Sequence, residues 1–228
     1  MTMMDLAEVE EGRLPADSLL VRFARYYACV KHAGQQYSGG RPYSHHLEDV
    51  DRYVQHFWAR FDEDGQPMNY MARKLYDGWD PFETMCWGPS EQSIAASVER
   101  MQLDGHWSYR EAVRAAAWLH DVIEDQGVQR RELEELFGLL PAELVWRVSD
   151  EPGATREERH VLTLPKTAGH PLARFLKLCD RLSNTRNPST SMMRKYRKEH
   201  PHFREVLWRP GEYEDLWKIL DTRMQEET

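Results

Sequence analysis

The residues Trp118-Leu-His-Asp-Val-Ile-Glu-Asp125 close an alanine-rich, strongly helix-favouring run that begins at Glu111. Read as one continuous helix, the spacing stacks His120 one turn before Glu124 and Asp121 one turn before Asp125. One surface then carries a His-Asp pair with a Glu-Asp pair directly beyond it. Imidazole and carboxylate together suit a divalent cation, because mixed nitrogen and oxygen donors hold borderline-to-hard metals. The Glu-Asp pair suits work on a proton or a developing charge beside that ion. The plain alternative is a solvated helix end, but three acids late in a helix oppose its dipole and need something else to stabilise them.

The elements that must position these groups read as helices throughout. Asp17 offers an N-cap for a helix over 18–32, with Leu20, Phe23, Ala24, Tyr27 and Ala28 on one face. Gly34, Gly39-Gly40 and Pro42 then form a loop ending in Tyr43-Ser-His-His46, and a second amphipathic helix follows over 47–60. Ser108-Tyr-Arg-Glu111 is a capping box that fixes the start of the central helix, and Gly127 ends it. Helices follow over 129–137, 141–148, 155–164, 172–186, 192–200 and 211–226, the third opened by a second capping box, Thr155-Arg-Glu-Glu158. No strand and no internal repeat stands out, so the expected fold class is all-α. The chain reads as one domain over 1–228, with residues 1–15 as a polar leader and an insertion at about 61–107. Within that insertion Asp62 and Asp64 start like a calcium loop whose remaining ligands do not follow. Its tryptophans (Trp79, Trp87, Trp107) read as packing anchors for an irregular segment.

Composition narrows the classes. A chain of 228 residues can bury an ample core. A net charge of −8 argues against nucleic-acid backbones and anionic membranes as partners, while leaving room for a local basic pocket for a phosphorylated small molecule. No apolar run approaches membrane-spanning length. The three cysteines, Cys29, Cys86 and Cys179, form no CxxC pair, and Cys29 and Cys179 sit in apolar helical patterns. That reads as buried free thiols in a reducing compartment, hence a cytoplasmic protein.

Three ordered blocks resemble the HD-domain metal phosphohydrolases, and more closely the alarmone hydrolase domain of RelA/SpoT-type enzymes and the small free-standing alarmone hydrolases. The first is His32-Ala-Gly-Gln with Gly40-Arg-Pro-Tyr-Ser-His-His46; the second is Leu119-His-Asp-Val-Ile-Glu-Asp125; the third is Leu176-Lys-Leu-Cys-Asp-Arg-Leu-Ser-Asn-Thr-Arg186. The resemblance implies His46, His120, Asp121 and Asp180 as ligands of one divalent metal, manganese above zinc or ferrous iron. It implies Glu124 and Asp125 as the catalytic pair that orients and deprotonates the attacking water. Asn184 matches a position that contacts the nucleotide, and Arg156 lies where relatives place a basic residue near phosphates. His32 and Gln35 fit supports rather than ligands. The implied reaction is hydrolysis of the 3′-pyrophosphate of guanosine tetra- or pentaphosphate (ppGpp, pppGpp), with a nucleotide as the small-molecule partner.

Some positions depart from the family's pattern. Tyr37 and Ser38 stand where relatives carry an Arg-Lys pair against the guanine, and Asn187 stands where a small hydroxyl residue is common near the base. Tyrosine can stack on a base but brings no positive charge. Together with the insertion, these departures motivate an alternative: an HD phosphohydrolase acting on ppApp, NADPH or a nucleoside triphosphate. A non-catalytic nucleotide sensor is a third reading, which the intact ligands and acidic pair disfavour.

Overall fold

Helix α1 (Leu19–Lys31) begins where the Ser18 hydroxyl accepts a hydrogen bond from the Val21 N–H, one residue beyond the Asp17 cap that the sequence suggested. Asp17 instead pairs with Arg114 at 2.7 Å. The inward face is Leu20, Val21, Ala24 and Ala28; Phe23, expected inward, lies partly exposed against Phe137. The computed structural model describes residues 17–63 and 108–226, apart from the side chains of Ser38 and residues 59–63. The polar leader and nearly all of the insertion, with Asp64 and the three tryptophans, lie outside the described residues.

The remaining helices are α2 (Ser44–Glu63), α3 (Tyr109–Leu119), α4 (Val122–Gln126), α5 (Arg130–Phe137), α6 (Leu139–Val148), α7 (Arg156–Ala168), α8 (Pro171–Asn184), α9 (Thr190–Leu207) and α10 (Glu214–Gln225). The fold class is all-α, as expected. Its one β feature among the described residues is a two-residue hairpin, β1 (Gln36–Tyr37) against β2 (Arg41–Pro42), in antiparallel register. Gly39 and Gly40 turn it with φ of +74° and +75°, a region where a Cβ is strained. So short a pairing leaves no alternating pattern to read in sequence.

Helix α3 is the centre of the molecule, with every residue from Ala112 to Leu119 buried. Its alanines let α1 and α2 lie close on either side, and α6 packs on it too. Helix α8, buried along most of its length, crosses α2 and α6 and is covered by α10. The α2–α3 contact is pinned by a buried ion pair. Arg114 donates from Nε and Nη2 to the two oxygens of Asp51 (2.8 and 2.9 Å), and Trp118 Nε1 donates to Asp51 Oδ2 (3.1 Å). Because His46 lies in α2 and His120 caps the end of α3, that pair bears on their relative placement.

Helices α7 and α9 run past Pro165 and Pro201, where the sequence reading had ended them at Leu164 and His200. Both prolines are exposed, and the turns after them bury Thr167, Phe203 and Leu207, which offsets the lost backbone donor. Cys179 is buried as expected, but Cys29 is exposed on the outer side of α1. No helix among the described residues is long and apolar enough to cross a membrane.

Candidate metal centre

The continuous helix expected through the His-Asp and Glu-Asp pairs is interrupted. α3 stops at Leu119, His120 and Asp121 form a turn, and α4 starts at Val122. Asp121 has φ −102° and ψ −2°, off the helical path, while the Asp125 N–H still donates to its carbonyl at 2.8 Å. Consecutive side chains on an intact helix diverge by about 100°. The break removes that divergence: His120 Nε2 and Asp121 Oδ2 lie 2.9 Å apart.

Two further donors come from other elements. α2 begins at Ser44, earlier than the sequence suggested, so His45 and His46 fall in its first turn, His45 exposed and His46 buried. His46 Nε2 lies 3.2 Å from His120 Nε2, 3.6 Å from Asp121 Oδ2 and 3.4 Å from Asp180 Oδ1. Asp180, two-thirds of the way along α8, also reaches within 3.7 Å of His120 Nε2. The four residues expected as ligands are thus brought together, and His46, His120 and Asp121 form a group able to hold a metal ion. Donors bound at about 2.1 Å to one ion sit roughly 3.0 Å apart when octahedral and 3.4 Å when tetrahedral, so these spacings fit a single divalent cation.

The outward nitrogens of both imidazoles fit the same purpose. His120 Nδ1 lies 2.8 Å from the Ala117 carbonyl oxygen, which requires a proton on Nδ1 and leaves Nε2 facing the cluster to take a proton or a metal ion. His46 Nδ1 lies 3.0 Å from the Ser183 hydroxyl. Asp121 also accepts from the Tyr43 hydroxyl at 2.6 Å. Burial pushes the Asp121 carboxyl up, but His120 and His46 outweigh it and hold the group far below the carboxylate range. Asp180 behaves alike: burial is overcome by Lys177 and then by both histidines. Burial lowers His46 and His120 in turn, yet Asp121 and Asp180 lift both above an ordinary imidazole. The cluster demands positive charge at its centre.

The acidic pair lies on α4 and its carboxylates are held separately. Glu124 accepts from the Asp150 N–H at 3.2 Å, and loss of surrounding water raises its pKa, Lys177 opposing and Asp150 and Asp121 adding to the rise. Asp125 Oδ2 accepts from Gln35 Nε2 at 2.7 Å.

Of the expected substrate contacts, Tyr37 and Asn184 reach the cluster. The Tyr37 ring stacks on His46 with centroids 4.8 Å apart, and its hydroxyl donates to Asn184 Oδ1 at 2.9 Å. Asn184 donates in turn to Asp180 Oδ1. One face of Tyr37 is therefore spent on His46 rather than free for a base. Arg156 pairs with Glu199 at 2.7 Å, Asn187 is exposed beyond the end of α8, and Ser38 opens the hairpin turn. Sequence reading gave no role to Tyr43 or Ser183. Lys177 lies 3.5 Å from Asp180 Oδ2 and donates to the Val148 carbonyl at 3.0 Å, and the carboxylates around it, Asp180 first, keep it protonated despite burial. Its helical spacing to Asp180 was the available signal; Tyr43 and Ser183 gave none, since each acts through another residue.

No protein-family model matches the chain. The guanosine-3′,5′-bis(diphosphate) 3′-pyrophosphohydrolase MESH1 of Drosophila melanogaster is 37% identical over 78 residues, 34% of this chain and 44% of that protein. The MESH1 of Danio rerio is 39% identical over 75 residues, 32% of this chain and 41% of that protein. The matched stretch thus spans less than half the length of either curated relative. A solved structure of a metazoan ortholog of SpoT, which hydrolyzes ppGpp and plays a role in starvation responses, superposes with a TM-score of 0.60 at 21% identity, over 93% of this chain and 97% of its own. The chain therefore has the all-α HD-domain fold.

Proposed function

We propose that this protein hydrolyses the 3′-pyrophosphate of guanosine tetra- and pentaphosphate, releasing pyrophosphate and leaving GDP or GTP, with manganese as its metal. The observation that carries the reading is the convergence of His46, His120, Asp121 and Asp180 from α2, the α3–α4 turn and α8. The partial likeness to two curated ppGpp 3′-pyrophosphohydrolases supplies the substrate class. When bound, the cation supplies Lewis acidity, stabilising charge on phosphoryl oxygens and making hydroxide available near neutral pH.

The chain's own residues do the rest. Glu124, held by the Asp150 N–H, orients the attacking water and takes its proton. The water oxygen bonds to phosphorus as the bond to the ribose 3′ oxygen breaks, and that oxygen receives a proton passed on by way of Asp125. No side-chain nucleophile is needed. Asn184 and Tyr37 face the nucleotide, with Ser38 and Asn187 at the base side; Arg156 meets phosphate by exchanging Glu199 for it. A net charge of −8 favours a small nucleotide over nucleic acid. A reducing cytosol fits the free thiols Cys29 and Cys179.

One observation favours a second reading. Because Tyr37 is packed on His46 and brings no charge, it does not supply the cation that relatives place against guanine at this position, so ppApp, NADPH or a nucleoside triphosphate is the competing substrate. Side-by-side turnover of these compounds and ppGpp with added manganese decides the matter. Pyrophosphate released fastest from ppGpp supports the first reading, faster turnover of another nucleotide supports the second, and tight ppGpp binding without turnover means a sensor.

A further inference from the structure

Two of the acids around the metal centre are gripped from one side by a single layer of three residues. Tyr43 donates to Asp121, and Gln35 donates from its amide nitrogen to Asp125 Oδ2 at 2.7 Å. His32 joins the two. Its ring stacks on Tyr43 with centroids 4.7 Å apart and an interplanar angle of 20°, and its Nδ1 lies 2.8 Å from Gln35 Oε1. Gln126 donates to the same oxygen at 2.5 Å.

These contacts leave the Gln35 amide one orientation. Asp125 can only accept, so the amide nitrogen must face it; the oxygen must then accept from both His32 and Gln126. His32 therefore carries its proton on Nδ1, and its buried Nε2 has no partner. The ring's stack on Tyr43 and its bond to Gln35 account for its placement in the interior. We infer that Gln35, oriented by His32, is a positioning residue that fixes the Asp125 carboxylate for the hydrolytic step. Gln35 acts only through Asp125. This inference rests on the proposed alarmone hydrolysis and extends it from the acidic pair to the H-x-x-Q stretch on the far side of the hairpin.

A double-mutant cycle in the metal-loaded full chain tests it. Gln35→Leu and Asp125→Asn are each expected to lower kcat for ppGpp by about tenfold or more while KM stays within about threefold. The double variant should fall no further than Asp125→Asn alone, because the group Gln35 serves is already lost. Gln35→Glu, which keeps the shape but replaces the donor by a second carboxylate, should fall at least as far as Gln35→Leu. It also serves if the leucine variant does not fold, as thermal melts will show. Losses that multiply in the double variant, or Gln35→Glu at wild-type rate, overturn the inference and leave the proposed function standing. A wild-type protein that turns over no alarmone overturns both.

Discussion

The Nε2 atoms of His46 and His120 lie 3.2 Å apart inside the protein. His120 donates from Nδ1 to the Ala117 carbonyl, so Nε2 is the atom that faces the other ring. Such an approach is unfavourable unless something positive, a proton or a metal ion, lies between, and the flanking Asp121 and Asp180 make the demand stronger. A divalent cation meets it. Added manganese should therefore raise the melting temperature, since a ligand that binds only the folded state stabilises it, by about 2.7 kcal/mol at a hundredfold excess over Kd. His120→Ala and Asp180→Ala should lose both this shift and all turnover. A variant that kept the metal-dependent shift would remove that residue from the ligand set.

In the proposed reaction Glu124 serves the chemistry rather than the ion. Its carboxylate is held by the Asp150 N–H, outside the four-donor cluster. Glu124→Gln preserves size and the ability to accept that bond but cannot take a proton. Turnover should fall by about a hundred- to ten-thousandfold, while metal uptake, measured by calorimetry, stays at the wild-type level. Near-normal kcat in this variant would mean that another group handles the water's proton.

Much of this candidate site is legible in the residue order because its imidazoles and carboxylates fall in short blocks. His120-Asp121 and Glu124-Asp125 announce themselves by type and spacing, and α8 shows Asp180 at the edge of its apolar stripe. What spacing could not reveal is the break between α3 and α4. An unbroken Ala-rich run carries no helix-stopping residue at His120, so tertiary contacts decide there over local propensity. Tyr43 was equally silent, because a tyrosine in a Gly-Pro loop has no periodicity to say that its hydroxyl meets Asp121. Phe23 shows the opposite error: it fits the apolar face of α1 by spacing, yet Val21 takes the inner position.

Tyr37 ties the hairpin to the metal centre by a ring stack and a hydrogen bond. Tyr37→Phe keeps the stack and deletes the bond to Asn184, which itself donates to Asp180. The expected loss is about 1 kcal/mol of stability, with metal affinity little changed. Tyr37→Arg removes the ring from His46 as well and should weaken metal binding, even if the new cation assists a guanine nucleotide. Titration of each variant with manganese, followed by ppGpp turnover at saturating metal, separates the two effects. Unchanged metal affinity in Tyr37→Arg would show that the stack does not steady His46.

The Asp51–Arg114 pair makes a stronger demand on stability. Both partners are buried, and Trp118 adds a third bond to the carboxylate. Arg114→Met fills similar space but strands Asp51 without its cation, which should cost about 3–5 kcal/mol by chemical denaturation. Replacing both, Asp51→Leu with Arg114→Met, should recover most of that loss, because the buried charge is then gone. If the single variant loses less than about 1 kcal/mol, the pair is not what locks α2 to α3.

His170, the residue before α8, gives the protein a defined weakness toward acid. It is buried, and this desolvation, with Arg147 and Arg174 adding to it, pushes the imidazole down to about 3. In the unfolded chain the same group takes a proton near its ordinary value of about 6.5. The unfolded state therefore binds more protons between these limits, and stability falls as pH drops through that window. Its contribution is complete above pH 6.5 or so and declines by about 1.4 kcal/mol per pH unit below it. Between pH 7 and pH 5 the wild type should lose about 2 kcal/mol more than a His170→Gln variant, read from urea midpoints at constant ionic strength. Equal losses in the two proteins would mean that His170 is protonated in the folded state.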